Sequence, residues 1–98
     1  MKNMNDFTNI YKAIIVPIIR KYLPQAHIIL YGSRARGDFS GGSDIDIAID
    51  AGHKIDMLIM SKIIGGLEES KLPICFDIVD FWKVSEDMKK EIIKVFNF

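Results

Sequence analysis

Apolar residues recur at three- and four-residue spacing from Phe7 through Ile10, Tyr11, Ile14, Ile15, Ile18 and Ile19 to Tyr22. This is the period of one helix face, and it predicts an amphipathic helix over residues 6–22. Asn5 or Asp6 can cap its start, and Pro24 lies just past its end. Pro17 falls inside the stripe, where it removes one hydrogen bond and crowds the carbonyl of Ala13. Because the stripe continues in register, one kinked helix is expected there and not two. The short apolar run His27-Ile28-Ile29-Leu30-Tyr31 then reads as a buried strand. Residues 37–42, rich in glycine, form a turn, and strict alternation from Asp44 predicts a second strand over 44–50. Helical spacing returns with Met57, Met60, Ile63, Ile64 and Leu67, for a helix over about 54–69. Pro73 opens a third strand over 74–80. Ser85-Glu86-Asp87 has the hydroxyl cap and early acids of a helix start, with Met88, Ile92, Val95 and Phe96 as the apolar face.

The resulting order, α-β-β-α-β-α, predicts an α/β (α+β) domain spanning residues 1–98: a small mixed sheet with helices packed on one face. With 98 residues, 49% of them apolar, the chain can bury a core and is too hydrophobic to be disordered. Thirteen basic residues balance thirteen acidic ones, so no global field draws the protein to nucleic acid or anionic lipid, and no strong nucleic-acid binding is expected. The N-terminus lacks the apolar stretch of a secretory signal and no segment is long enough to span a bilayer, which makes no membrane contact and a cytoplasmic location the expectation. The lone cysteine, Cys75, excludes an intramolecular disulfide and a cysteine-rich zinc site, and is read as a buried, inert thiol of a core strand.

Charge becomes informative at two places. On a strand, Asp44 and Asp46 lie on one face while Ile45, Ile47 and Ile49 face the core. Spacing alone also fits two exposed residues of a half-solvated strand. Yet aspartate is a poor strand former, and two carboxylates this close repel unless a cation sits between them. Ten residues upstream, Gly32-Ser33 makes a tight turn. Glycine admits close backbone approach, and N–H groups and a serine hydroxyl at such a turn can hold phosphate oxygens; an ordinary strand-to-helix turn with Ser33 as cap fits as well. Arg34 and Arg36 flank it. A phosphate cradle beside divalent-metal carboxylates reads as phosphoryl or nucleotidyl transfer.

Gly32-Ser33, ten residues, then Asp44-x-Asp46 resembles the signature of polymerase-β-type nucleotidyltransferases. The fuller wording Gly-Ser-Arg-Ala-Arg-Gly with Ser-Asp-Ile-Asp is similar to the minimal nucleotidyltransferase (MNT) branch, small proteins made beside a HEPN-domain partner as toxin–antitoxin pairs. The resemblance spans about residues 28–80. It implies a third carboxylate on a later strand, and Asp77 in Cys75-Phe76-Asp77-Ile78-Val79-Asp80 matches that position. It further implies that Asp44, Asp46 and Asp77 bind Mg²⁺, two ions in all, and catalyse attack on the α-phosphorus of a nucleoside triphosphate. Gly32, Ser33, Arg34 and Arg36 would bind the nucleotide. The implied donor is ATP, and the implied acceptor is a tyrosine of a HEPN RNase toxin, in a hetero-oligomer with its antitoxin.

Two rivals stand beside this reading: an antitoxin that acts by binding alone, and nucleotidyl transfer to a small molecule. The second is weakened because the chain stops at Phe98, before any accessory acceptor domain is expected. Other candidates read as structural. His27 and His53 have no ligand spacing, Asp50 is taken as a turn residue, Asp80 as a strand end, and Trp82 as core or interface in preference to a stacking platform.

Overall fold

The computed structural model describes residues 6–32 and 44–93, with side chains from Ile10 onward. Helix α1 runs Asp6–Tyr22 with Pro17 inside it, so the in-register stripe does make one helix. The carbonyl of Ala13, which proline cannot bond, lies on an exposed stretch where water can satisfy it. Strand β1 is His27–Tyr31, β2 Ile45–Asp50, helix α2 Met57–Glu69, β3 Phe76–Asp80 and α3 Glu86–Ile92. Asp56 caps α2, accepting from the Leu58 N–H at 2.7 Å, and Ser85 caps α3 through the Met88 N–H at 3.2 Å. The predicted order therefore holds, with element ends moved by three residues or fewer.

The sheet order is β1-β2-β3, with β1 antiparallel and β3 parallel to the central strand. One face carries Ile28, Leu30, Ile45, Ile47 and Ile49, which pack with Ile15 and Ile19 of α1 and Ile63 and Leu67 of α2. Burying each such side chain stabilises the fold by roughly 1.5–3 kcal/mol. The expectation of helices on one face holds for α1 and α2 only. Ile29, Ala48 and Val79 form an apolar row on the opposite face, and α3 covers it with Ile92 and Met88, joined by Phe81 and Val84. The second face is apolar in one row, and that row has to be covered.

Asp80 is a buried carboxylate that does more than end a strand. Its Oδ2 accepts from the Ile55 N–H at 2.6 Å and its Oδ1 from the Trp82 N–H at 2.9 Å. The Lys83 ammonium lies 4.0 Å away and donates to the Ile55 carbonyl at 3.1 Å. These bonds tie the segment before α2 to the end of β3. Cys75 also departs from expectation, being exposed. It precedes β3, an outer strand among the described residues, and alternation puts it on the same face as Asp77.

Candidate active site

Next to the covered row Ile29–Ala48–Val79 lies a second row on the same face, formed by Tyr31, Asp46 and Asp77. Strand pairing places Tyr31 opposite Asp46 and Asp46 opposite Asp77, with neighbouring strands about 4.8 Å apart. The row is open: Asp77 is exposed and Asp46 half-buried, whereas the Tyr31 ring is buried against the α3 side. Asp44 is exposed and stands one residue before β2, so alternation carries it one pleat beyond Asp46.

The phenol of Tyr31 reports the field of this row. Its pKa is pushed up to about 12, first by burial, then by the negative charge of Asp46 and of Asp77. Both carboxylates thus act on one hydroxyl. Immediately after Tyr31, Gly32 adopts φ +77°, a left-handed conformation, and a Cβ built there would overlap the Asp46 carboxylate. Glycine is required here twice, for its backbone angle and because Asp46 occupies the space over it.

Of the residues singled out from the sequence, Gly32, Asp46 and Asp77 come together, with Asp44 alongside. Ser33, Arg34 and Arg36 lie outside the described residues. Tyr31 is not among the residues singled out from the sequence, although its parity with Ile29 and its position just before Gly32 mark it as a residue of the face that carries Asp46 and Asp77. Asp50 belongs to the far end of β2, where it accepts from the Gly52 N–H at 2.9 Å and the Trp82 indole N–H at 2.6 Å. Trp82 is correspondingly half-exposed, with the Lys89 ammonium 4.7 Å from its ring centre. His27 and His53 are exposed.

Among the described residues, no three His, Cys, Asp or Glu side chains are gathered closely enough to enclose a metal ion by themselves. Two in-register carboxylates with a third alongside are hard oxygen donors, and they suit an ion whose remaining positions are filled by substrate phosphate and water. That is the habit of Mg²⁺. No described helix is long and apolar enough to cross a membrane.

Residues 14–96 match the family described as polymerase beta, nucleotidyltransferase. A probable protein adenylyltransferase, MntA, of Haemophilus influenzae is 32% identical over 84 residues, which are 86% of this chain and 74% of that protein. The crystal structure of a toxin–antitoxin with AMP-PNP superposes with a TM-score of 0.70 at 27% identity, covering 86% of this chain and 68% of its own. A tri-AMPylated Shewanella oneidensis HEPN toxin in complex with MNT antitoxin shares the fold, with a TM-score of 0.66 at 24% identity, covering 89% of this chain and 66% of its own.

Proposed function

The chain belongs to the polymerase β nucleotidyltransferase family, and from that premise we propose that it transfers AMP from ATP to a tyrosine hydroxyl of a HEPN-domain toxin, acting as that toxin's antitoxin. The acceptor oxygen attacks the α-phosphorus of ATP and pyrophosphate leaves. The observation that carries this reading is the register of Asp46 with Asp77 on the open face, with the Gly32 turn against the Asp46 carboxylate. The protein names of the similar chains support the acceptor class: a protein adenylyltransferase, and HEPN toxins held in complex with MNT antitoxins.

Asp44, Asp46 and Asp77 would hold Mg²⁺, which when bound offsets phosphate charge and favours ionisation of the attacking hydroxyl. Asp77 sits on the outer strand and is exposed, so an incoming hydroxyl can reach it, and its carboxylate serves as the base that takes the proton. Gly32 brings backbone close to the triphosphate, the Ser33 hydroxyl donates to a phosphate oxygen, and Arg34 and Arg36 neutralise its charge. Catalysis on this account is positioning and charge stabilisation. ATP as donor and the single unpaired cysteine suit a cytoplasmic setting.

Neutralisation assays in cells separate catalysis from simple binding. Growth in the presence of the toxin should be rescued by the unaltered chain and lost with Asp46→Ala, at equal levels of folded protein. Full rescue by Asp46→Ala would replace the enzymatic reading with neutralisation by binding.

A further inference from the structure

Strand β3 carries Asp77 and is an outer strand of the sheet among the described residues. Its backbone groups divide into two sets. The Ile45 N–H donates to the Cys75 carbonyl and the Phe81 N–H to the Ile49 carbonyl, each at 3.0 Å. Residues 75, 77, 79 and 81 therefore direct their backbone toward β2, and alternation turns the N–H and C=O groups of Phe76 and Ile78 away from it. Among the described residues, those four groups have no hydrogen-bond partner. Outer strands are commonly blunted by charged side chains, lysine above all, or by proline. Ile74–Asp80 contains no lysine or proline, and its charges are Asp77 on the open face and the buried, hydrogen-bonded Asp80. At the entrance to the strand an open cavity of about 370 Å³ is lined by Leu67, Glu68, Leu72, Ile74, Cys75 and Phe76.

We infer that an extended segment of the protein acceptor adds to the outer edge of β3, pairing with the outward backbone groups of Phe76 and Ile78 and so delivering its hydroxyl to Asp77. The inference rests on the proposed transfer to a protein. An added strand runs about 4.8 Å from β3. Its side chains of one parity project on the open face beside Asp77, where the reacting hydroxyl has to be. Those of the other parity project toward the core side, where the cavity accepts an apolar group. The acceptor hydroxyl is thus expected next to an apolar residue in sequence.

A second copy of this chain fits the edge poorly. Pairing β3 with β3 brings the Asp77 carboxylates of two copies together on one open face, with no basic residue in Ile74–Asp80 to offset them. The edge favours a neutral or basic segment.

Amide hydrogen exchange of the full chain, read by NMR with and without the HEPN partner, tests this, with AMP transfer measured in the same samples after ATP and Mg²⁺ are added. The amides of Phe76 and Ile78 should slow at least about tenfold on adding the partner, while that of Asp77, already directed at β2, changes little. Transfer with no slowing at Phe76 and Ile78 would overturn the docking and leave the enzymatic reading intact. Slowing without transfer would uphold the docking and count against catalysis. Neither slowing nor transfer would remove both. Slowing that depends on the concentration of this chain alone would assign the edge to a second copy and overturn the proposal.

Discussion

Replacing Gly32 by alanine adds one methyl group where two separate costs meet, and Gly52 allows them to be separated. Gly32 has φ +77° and Gly52 φ +85°, so alanine at either position is held in a left-handed conformation. That strain costs roughly 1–2 kcal/mol, partly offset by about 0.4–1 kcal/mol because alanine restricts the unfolded chain. A net loss of about 1 kcal/mol is therefore expected from the backbone at each site. Around Gly52 no atom beyond its chain neighbours lies within 4 Å of an added Cβ, so Gly52→Ala shows the backbone cost alone. At Gly32 the methyl overlaps the Asp46 carboxylate and comes within 3.1 Å of its Cγ, so the carboxylate has to swing aside. Overpacking of that kind adds about 1–3 kcal/mol. In a domain of this size each kcal/mol lowers Tm by about 4–8 °C, so Gly32→Ala should melt well below Gly52→Ala. Displacing a reacting group by about an ångström costs on the order of a hundredfold in rate. Thermal melts and labelled AMP transfer, run on both variants, should show Gly52→Ala moderately destabilised and active, and Gly32→Ala more destabilised and at least about a hundredfold slower. Equal stability and equal activity in the two would refute the placement of Asp46 against Gly32.

Two further predictions concern groups on either side of the sheet. Asp80→Ala leaves the Ile55 and Trp82 N–H groups without their acceptor and should cost about 2–4 kcal/mol in urea unfolding, while transfer measured well below the melting point stays near the unaltered rate; a shift under half a kcal/mol would discount the buried carboxylate. The Tyr31 phenol, held near pKa 12 against an ordinary 10, should ionise late in an alkaline absorbance titration, and earlier once Asp46→Asn removes a neighbouring charge. Because the folded pKa is the higher one, the stability linked to this group is complete below pH 10 and declines as pH rises toward 12. Unfolding followed over that interval should fall less steeply in Tyr31→Phe, and equal slopes would contradict the burial and charge assigned to the ring.

Local pattern carried the helices and strands further than it carried their assembly. The helix expected over residues 6–22 and the run His27–Tyr31 match α1 and β1 to the residue, because one face of each is read directly from apolar spacing. The pairing of Asp46 with Asp77 is a different matter. It requires β3 to lie parallel to β2 at one register, and contacts between residues 31 positions apart leave no local periodicity. The position of α3 escapes local pattern for a related reason: Ile29, Ala48 and Val79 are scattered along three strands and form an apolar row only after pairing. Cys75 failed by parity. It directly precedes β3, an outer strand among the described residues, so its open-face side chain meets solvent. Tyr31 is buried, as the apolar run implies, but the same alternation that separates Asp46 from Ile47 separates it from Leu30 and sets it beside the carboxylates.

The most direct test of nucleotidyl transfer uses the purified chain, Mg²⁺, ATP labelled at the α-phosphate and the purified HEPN partner. Parallel reactions carry Asp44→Ala with Asp46→Ala, and Asp77→Asn. Label should appear on the partner with the unaltered chain and vanish with either variant, while both variants remain folded and bind the partner. Unlabelled partner in a mixture where the unaltered chain binds and neutralises it would contradict the account, and the carboxylate row would then belong to a binding surface.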